Sequence, residues 1–176
     1  MSDFRGELLT RPLRKSGFRF GPAAWIGIPL LAILFSVYVP RFVQSLTYLE
    51  LPLIVTVYFS LMRRSQILGL LFGAGVGLAQ DSLSHQPLGM FGIVKTLVGY
   101  FCASVSVRFD VENPLIRFFL AFFFFLFHQL LYWMMLRGLL GKPVDFDIQQ
   151  NAILGLLNAL VAVPLFRVFD KLKVSA

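Results

Sequence analysis

Between Arg19 and Arg41 the chain runs from Phe20 to Pro40 without a single charged residue. At about 1.5 Å per residue a helix of that length crosses a hydrocarbon core roughly 30 Å thick, and inside such a core a lone segment satisfies its backbone only as a helix. Pro22 suits the first turn, Trp25 an interfacial position, and Pro29 a kink. Composition extends the conclusion to the whole chain. Of 176 residues 57% are apolar and only 14% charged, where a soluble domain carries about a quarter. The expectation is an all-α, polytopic membrane protein, a compact bundle of six transmembrane helices.

Five further apolar segments follow. The second starts near Phe42 or Ser45 and ends at Met62, with Glu50 in its outer third and Arg63 and Arg64 stopping it. The third runs from Gln66 to Gln80 and is short for a span. A polar turn closing at Pro87 and Gly89 separates it from the fourth, which reaches Val107. The fifth, from Leu115 or Phe118 to Leu136, contains FFLAFFFFLF, and the sixth runs from Ile148 to Phe166 with Asn158 near its middle. The organisation is thus a basic tail over residues 1–19, a six-span domain over 20–169 and a short tail over 170–176.

Charge placement sets the orientation. With six spans, of the chain's sixteen basic residues only Arg41, Arg137 and Lys142 fall in loops on the side away from the termini, while Arg5, Arg11, Arg14, Lys15, Arg19, Arg63, Arg64, Arg108, Arg117, Arg167, Lys171 and Lys173 share the other. Positive loops stay inside, so both termini are expected in the cytoplasm. The net charge of +7 sits at the ends of apolar segments, which fits anionic lipid headgroups and not nucleic acid.

The stretch from Ser65 to Val107 holds the chemistry. Gly69, Gly73 and Gly77, four apart, form one glycine stripe on the third helix. Such a stripe admits close approach either of another helix in the bundle or of a partner's single span, and the internal use is favoured. Asp81 stands at the polar corner after it, where a cap or turn role competes with a functional one. Lys95 lies inside the fourth segment. Three uses are open to it: a structural place in the bundle interior, snorkelling to the interface, or contact with a substrate or ion.

Several activities have no motif here. Cys102 is alone, and His85 and His128 have no ligand at metal spacing, so neither a metal nor another cofactor is expected. His128 is expected to pack or hydrogen-bond. GxSxG, HExxH and a phosphate loop are all missing, and Gly73, Gly75 and Gly77 lie within an apolar helix with no strand before them. Asp81, His85, Asp145 and Asp147 fall on one side, yet their spacing demands no active site. No enzyme is expected.

GLLFGAGVGLAQDSLSHQPLG, followed by KTLVGY, resembles the rod shape-determining MreD family. The elements are Gly69, Gly73, Asp81, the Pro87-Leu88-Gly89 turn, and Thr96, Leu97, Gly99 and Tyr100. That resemblance implies a non-catalytic subunit of the bacterial elongation machinery in the inner membrane. Its implied partners are the bitopic protein MreC, an MreB-like filament, and the lipid-linked peptidoglycan polymerase and transpeptidase. It also implies a fold similar to the substrate-binding subunits of energy-coupling-factor vitamin transporters. Asp81, Pro87, Leu88 and Gly89 would then shape a cavity mouth or the surface that docks MreC. A role for Lys95 rests on the physical argument alone. The rival function is small-molecule binding in a vitamin-type transporter, with Asp81, Lys95, Gln149, Asn151 and Asn158 as cavity groups.

Overall fold

The computed structural model describes residues 22–84 and 87–172. The basic N-terminal tail, His85, Gln86 and Lys173 lie outside the described residues.

The described residues form six long helices: α1 (Pro22–Tyr38), α2 (Leu51–Arg63), α3 (Gln66–Leu83), α4 (Met90–Ser106), α5 (Pro114–Gly138) and α6 (Ile148–Lys171). Their ends follow local chemistry. Asn113 caps α5 by accepting the Leu115 N–H at 2.9 Å, just before Pro114 at the position where a missing N–H costs nothing. Asp147 caps α6 through the Gln150 N–H at 3.0 Å. Arg64, at φ 51°, turns the chain out of α2 and into α3.

Helix α2 is the hub. Every residue from Pro52 to Leu61 is buried, and the helix touches all five others. An all-round apolar helix belongs in the middle of a bundle, because any face left outward would need a matching apolar environment. Around it stand two antiparallel pairs, α3 with α4 and α5 with α6, and α1 lies outside against α2 and α3. The apolar core gathers Leu53, Val57, Tyr58 and Phe59 of α2 with Val98 and Cys102 of α4, Phe124 and Phe125 of α5, and Ala159, Ala162 and Phe166 of α6.

Among the described residues four segments are long and apolar enough to cross a membrane: Ala24–Arg41, Leu46–Arg63, Pro114–Gly138 and Ile148–Lys171. The chain is a polytopic membrane protein. Helices α3 and α4, with 18 and 17 residues, are the short pair, about 27 Å at 1.5 Å per residue. One end of the bundle carries Arg63, Arg64 and Lys171, here the Arg63 end; the other carries Glu50 and the α3–α4 turn, here the Glu50 end.

The helix bounds differ from expectation in instructive places. The second helix starts at Leu51, not at residue 42 or 45, because the chain first makes two 3-10 turns, Val39–Arg41 and Gln44–Tyr48. Pro52, in the first turn, fits a start but not an interior. Helix α3 runs past Gln80 to Leu83, which brings Asp81 into its last turn. Helix α6 runs past Phe166 to Lys171, because Phe169 is buried and Asp170 finds partners inside.

Candidate functional site at the Glu50 end

Asp81 is 1% exposed, and its carboxylate takes three backbone donors from the start of α4. Oδ2 accepts the N–H of Gly89 at 3.0 Å and of Gly92 at 2.9 Å, and Oδ1 accepts that of Phe91 at 3.1 Å. These are donors that a helix N-terminus leaves without internal partners, at the end where the helix dipole favours an anion. The Pro87-Leu88-Gly89 turn makes this geometry. Gly89 sits at φ 93°, a conformation that costs a side-chain residue energy, and so aims its own N–H back at α3. Leu88 is 81% exposed at the tip, and Pro87 is half-buried.

Below this tie the glycine stripe faces α4. A Cβ on Gly69 would meet the Gly99 carbonyl oxygen, one on Gly73 the Lys95 carbonyl oxygen, and one on Gly77 the Phe91 carbonyl oxygen. Gly99 returns the contact to Gly69, so the two backbones touch. The stripe is therefore occupied within the chain.

Lys95 is fully buried in the bundle interior and does not snorkel. Its Nζ lies 3.5 Å from His128 Nε2 and 4.3 Å from the centroid of the Phe91 ring. Among the described residues no carboxylate stands within salt-bridge distance of it. Phe91, His128 and Tyr132 stack nearly parallel, with the Phe91 and Tyr132 centroids 5.2 Å apart, so the cation rests beside an aromatic layer.

Asn158 is saturated by backbone. Its Oδ1 accepts the Glu50 N–H at 2.9 Å, and its Nδ2 donates to the carbonyls of Tyr48 at 2.8 Å and Leu154 at 2.9 Å. It pins the 3-10 segment and the start of α2 to α6. Gln149 is exposed, and Asn151 donates to the Asp147 carbonyl at the mouth of α6. The groups assigned to a transporter cavity are thus dispersed or already bonded.

A polar cavity of about 350 Å³ opens nearby with other residues on its wall: Arg41, Thr47, Glu50, Gln80, Ser84 and Phe91 among them. It meets the residues picked out from sequence at the end of α3, at Phe91, whose N–H bonds Asp81, and at Glu50, whose N–H bonds Asn158. Glu50 and Gln80 escaped because neither has a partner at helical spacing; Glu50 standing in an apolar passage was the available signal.

At the Arg63 end a second polar tie went unnoticed. Arg117, 5% exposed, pairs with Asp170 and donates from Nε to the Val111 carbonyl at 2.6 Å, and Tyr58 OH donates to Asp170 Oδ1 at 2.9 Å. Helices α2, α5 and α6 are joined by this one carboxylate. Among the described residues no group of three His, Cys, Asp or Glu side chains is arranged to hold a metal.

Fold and interior together define a class: a polytopic helical membrane protein whose buried ionisable groups bind helix to helix. No curated protein and no solved structure matches the chain. The family model for rod shape-determining protein MreD matches residues 19–174, and the chain belongs to the MreD family.

Proposed function

We propose that the chain is a non-catalytic scaffold subunit of the rod machinery in the bacterial inner membrane. It crosses six times with both termini in the cytoplasm, captures an MreC-like bitopic protein, and so helps to position peptidoglycan synthesis. An MreB-like filament, the lipid-linked polymerase and transpeptidase, and anionic lipid at the basic rim complete its surroundings. Family membership supports the setting. The observation that carries the scaffold reading is the use made of Asp81. Its carboxylate, the strongest candidate for chemistry in the sequence, is taken up by three backbone N–H groups and holds two helices in register. A subunit that spends a buried carboxylate on rigidity presents a fixed surface, and fixed surfaces bind without the ordering cost that flexible ones carry.

Affinity purification of the tagged chain from native membranes in mild detergent tests this. The expected result is co-purification of a bitopic MreC-like protein. Recovery of a single small molecule at one per chain, with no protein partner, would overturn the scaffold reading in favour of a transporter subunit.

A further inference from the structure

Helices α1 and α3 leave a groove between them, of about 350 Å³ and lined by apolar side chains. Trp25, Pro29 and Ile33 stand on one wall, and Leu71, Gly75 and Ala79 on the other. Gly75 keeps the groove open. It lies two residues on from Gly73, about 200° round the helix, and a Cβ there would meet nothing within 4 Å. In a bilayer hydrocarbon fills such a space, because lining atoms that face a gap lose their dispersion contacts. From Trp25 to Ile33 the wall climbs about 12 Å at 1.5 Å per residue, close to the roughly 15 Å that one leaflet contributes to the hydrocarbon core. A partner's single span needs roughly 30 Å, so the length fits an acyl chain and not a helix.

The Arg63 end of the groove decides which lipid enters. Trp25 stands there, and the Arg63 guanidinium carbon lies 4.5 Å from the centroid of its ring. Stacking uses the face of the guanidinium and leaves N–H donors along its edge, the geometry that takes a phosphate by two parallel bonds. Arg63 and Arg64 are both exposed, and among the described residues neither has a carboxylate within salt-bridge distance. A second apolar groove, of about 320 Å³ between α1 and α6, has Ile28, Phe35 and Phe169 on its wall. Among the described residues no cation stacks on its lining. Two unpaired cations at one end of the α1–α3 groove favour a net negative headgroup over a zwitterionic one, whose ammonium they repel. We infer that this groove binds one anionic phospholipid of the leaflet at the Arg63 end, with an acyl chain between α1 and α3 and its phosphate on Arg63. The inference rests on the reading of anionic lipid at the basic rim and gives that lipid a fixed place.

Partner capture is read separately by the affinity purification, so either reading can fail alone. The test uses the full chain in detergent micelles, titrated with phosphatidylglycerol or with phosphatidylcholine of the same acyl chains, and bound lipid is counted by native mass spectrometry. The first phosphatidylglycerol binds about fivefold more tightly than the first phosphatidylcholine, or better, as one arginine beside an anionic headgroup provides. Arg63→Gln lowers that preference about fivefold. Arg108→Gln leaves it unchanged, since Arg108 follows α4 at the same end of the bundle but is not on the groove wall. Gly75→Leu fills the groove and weakens the first binding of both lipids about tenfold, as expected when about two methylenes lose their burial. Melting temperatures taken alongside show that each variant is folded, and a Gly75→Leu chain that fails to fold leaves the decision to Arg63→Gln. Equal first binding of the two lipids, a preference that survives Arg63→Gln, or full binding by a folded Gly75→Leu protein overturns the inference. A dimer of lipid-free chains in place of the lipid complex does so too.

Discussion

The Asp81 carboxylate, in the last turn of α3, accepts the backbone N–H of Gly92, in the first turn of α4, at 2.9 Å. The contact is made from outside the helix it caps. An N-cap side chain ordinarily belongs to the helix it serves, but Gly89 has none, and the preceding helix supplies the oxygen instead. The α3–α4 pair is thereby closed at its turn by charge and along its length by glycine.

Asp81→Asn should destabilise the protein by about 3 kcal/mol, since hydrogen bonds to a charged acceptor contribute roughly 1.5–3 kcal/mol each and do not add fully. The amide keeps one acceptor and turns two donors toward N–H groups. Thermal unfolding in detergent measures the loss; an unchanged melting temperature would show that the tie is idle.

Gly73→Ala and Gly75→Ala should have opposite effects. The first drives a methyl group into the Lys95 carbonyl and should cost about 1–3 kcal/mol, as overpacking does. The second meets nothing within 4 Å and should gain up to about 1 kcal/mol from better helix propensity. Unfolding curves of the two variants, measured side by side, decide the matter. Equal effects would contradict the assignment of the stripe to α4.

Lys95→Met should fold, with stability within about 1 kcal/mol of the parent, because replacing a buried ion by an apolar chain of similar volume is often neutral. Lys95→Glu should fail to accumulate, since it adds a carboxylate to a region already holding Asp81 and Glu50. Folded yield by size exclusion in detergent reads both outcomes.

Arg117→Ala should cost about 2 kcal/mol, below the figure for a fully buried pair because the Asp170 side chain is 29% exposed. Tyr58→Phe should cost about 1 kcal/mol through the same carboxylate. The double variant should lose less than the sum, a coupling that a double-mutant cycle measures.

Much of this architecture is written locally. Charge-free runs announce the long helices, Asn113-Pro114 and Asp147 announce where two of them start, and glycines four apart announce a face for close approach. What the sequence withholds is which partner each feature meets. Asp81 reads as a cap, but the helix it caps is decided by the Gly89 turn. Arg117 reads as one more basic residue at the rim, since Asp170 lies 53 residues on and Tyr58 is separated from Asp170 by 112, and no spacing rule reaches that far. Glu50 and Gln80 meet at one cavity only because two 3-10 turns delay the start of α2. Asn158 reads as a cavity group, and backbone groups of the 3-10 segment, α2 and α6 consume it entirely.

Association of the purified chain with the purified bitopic MreC-like protein, measured in detergent by size exclusion with mass determination, tests the scaffold role most directly. The account predicts a stable complex. Failure of the folded parent chain to associate with that protein at any concentration tested would contradict it.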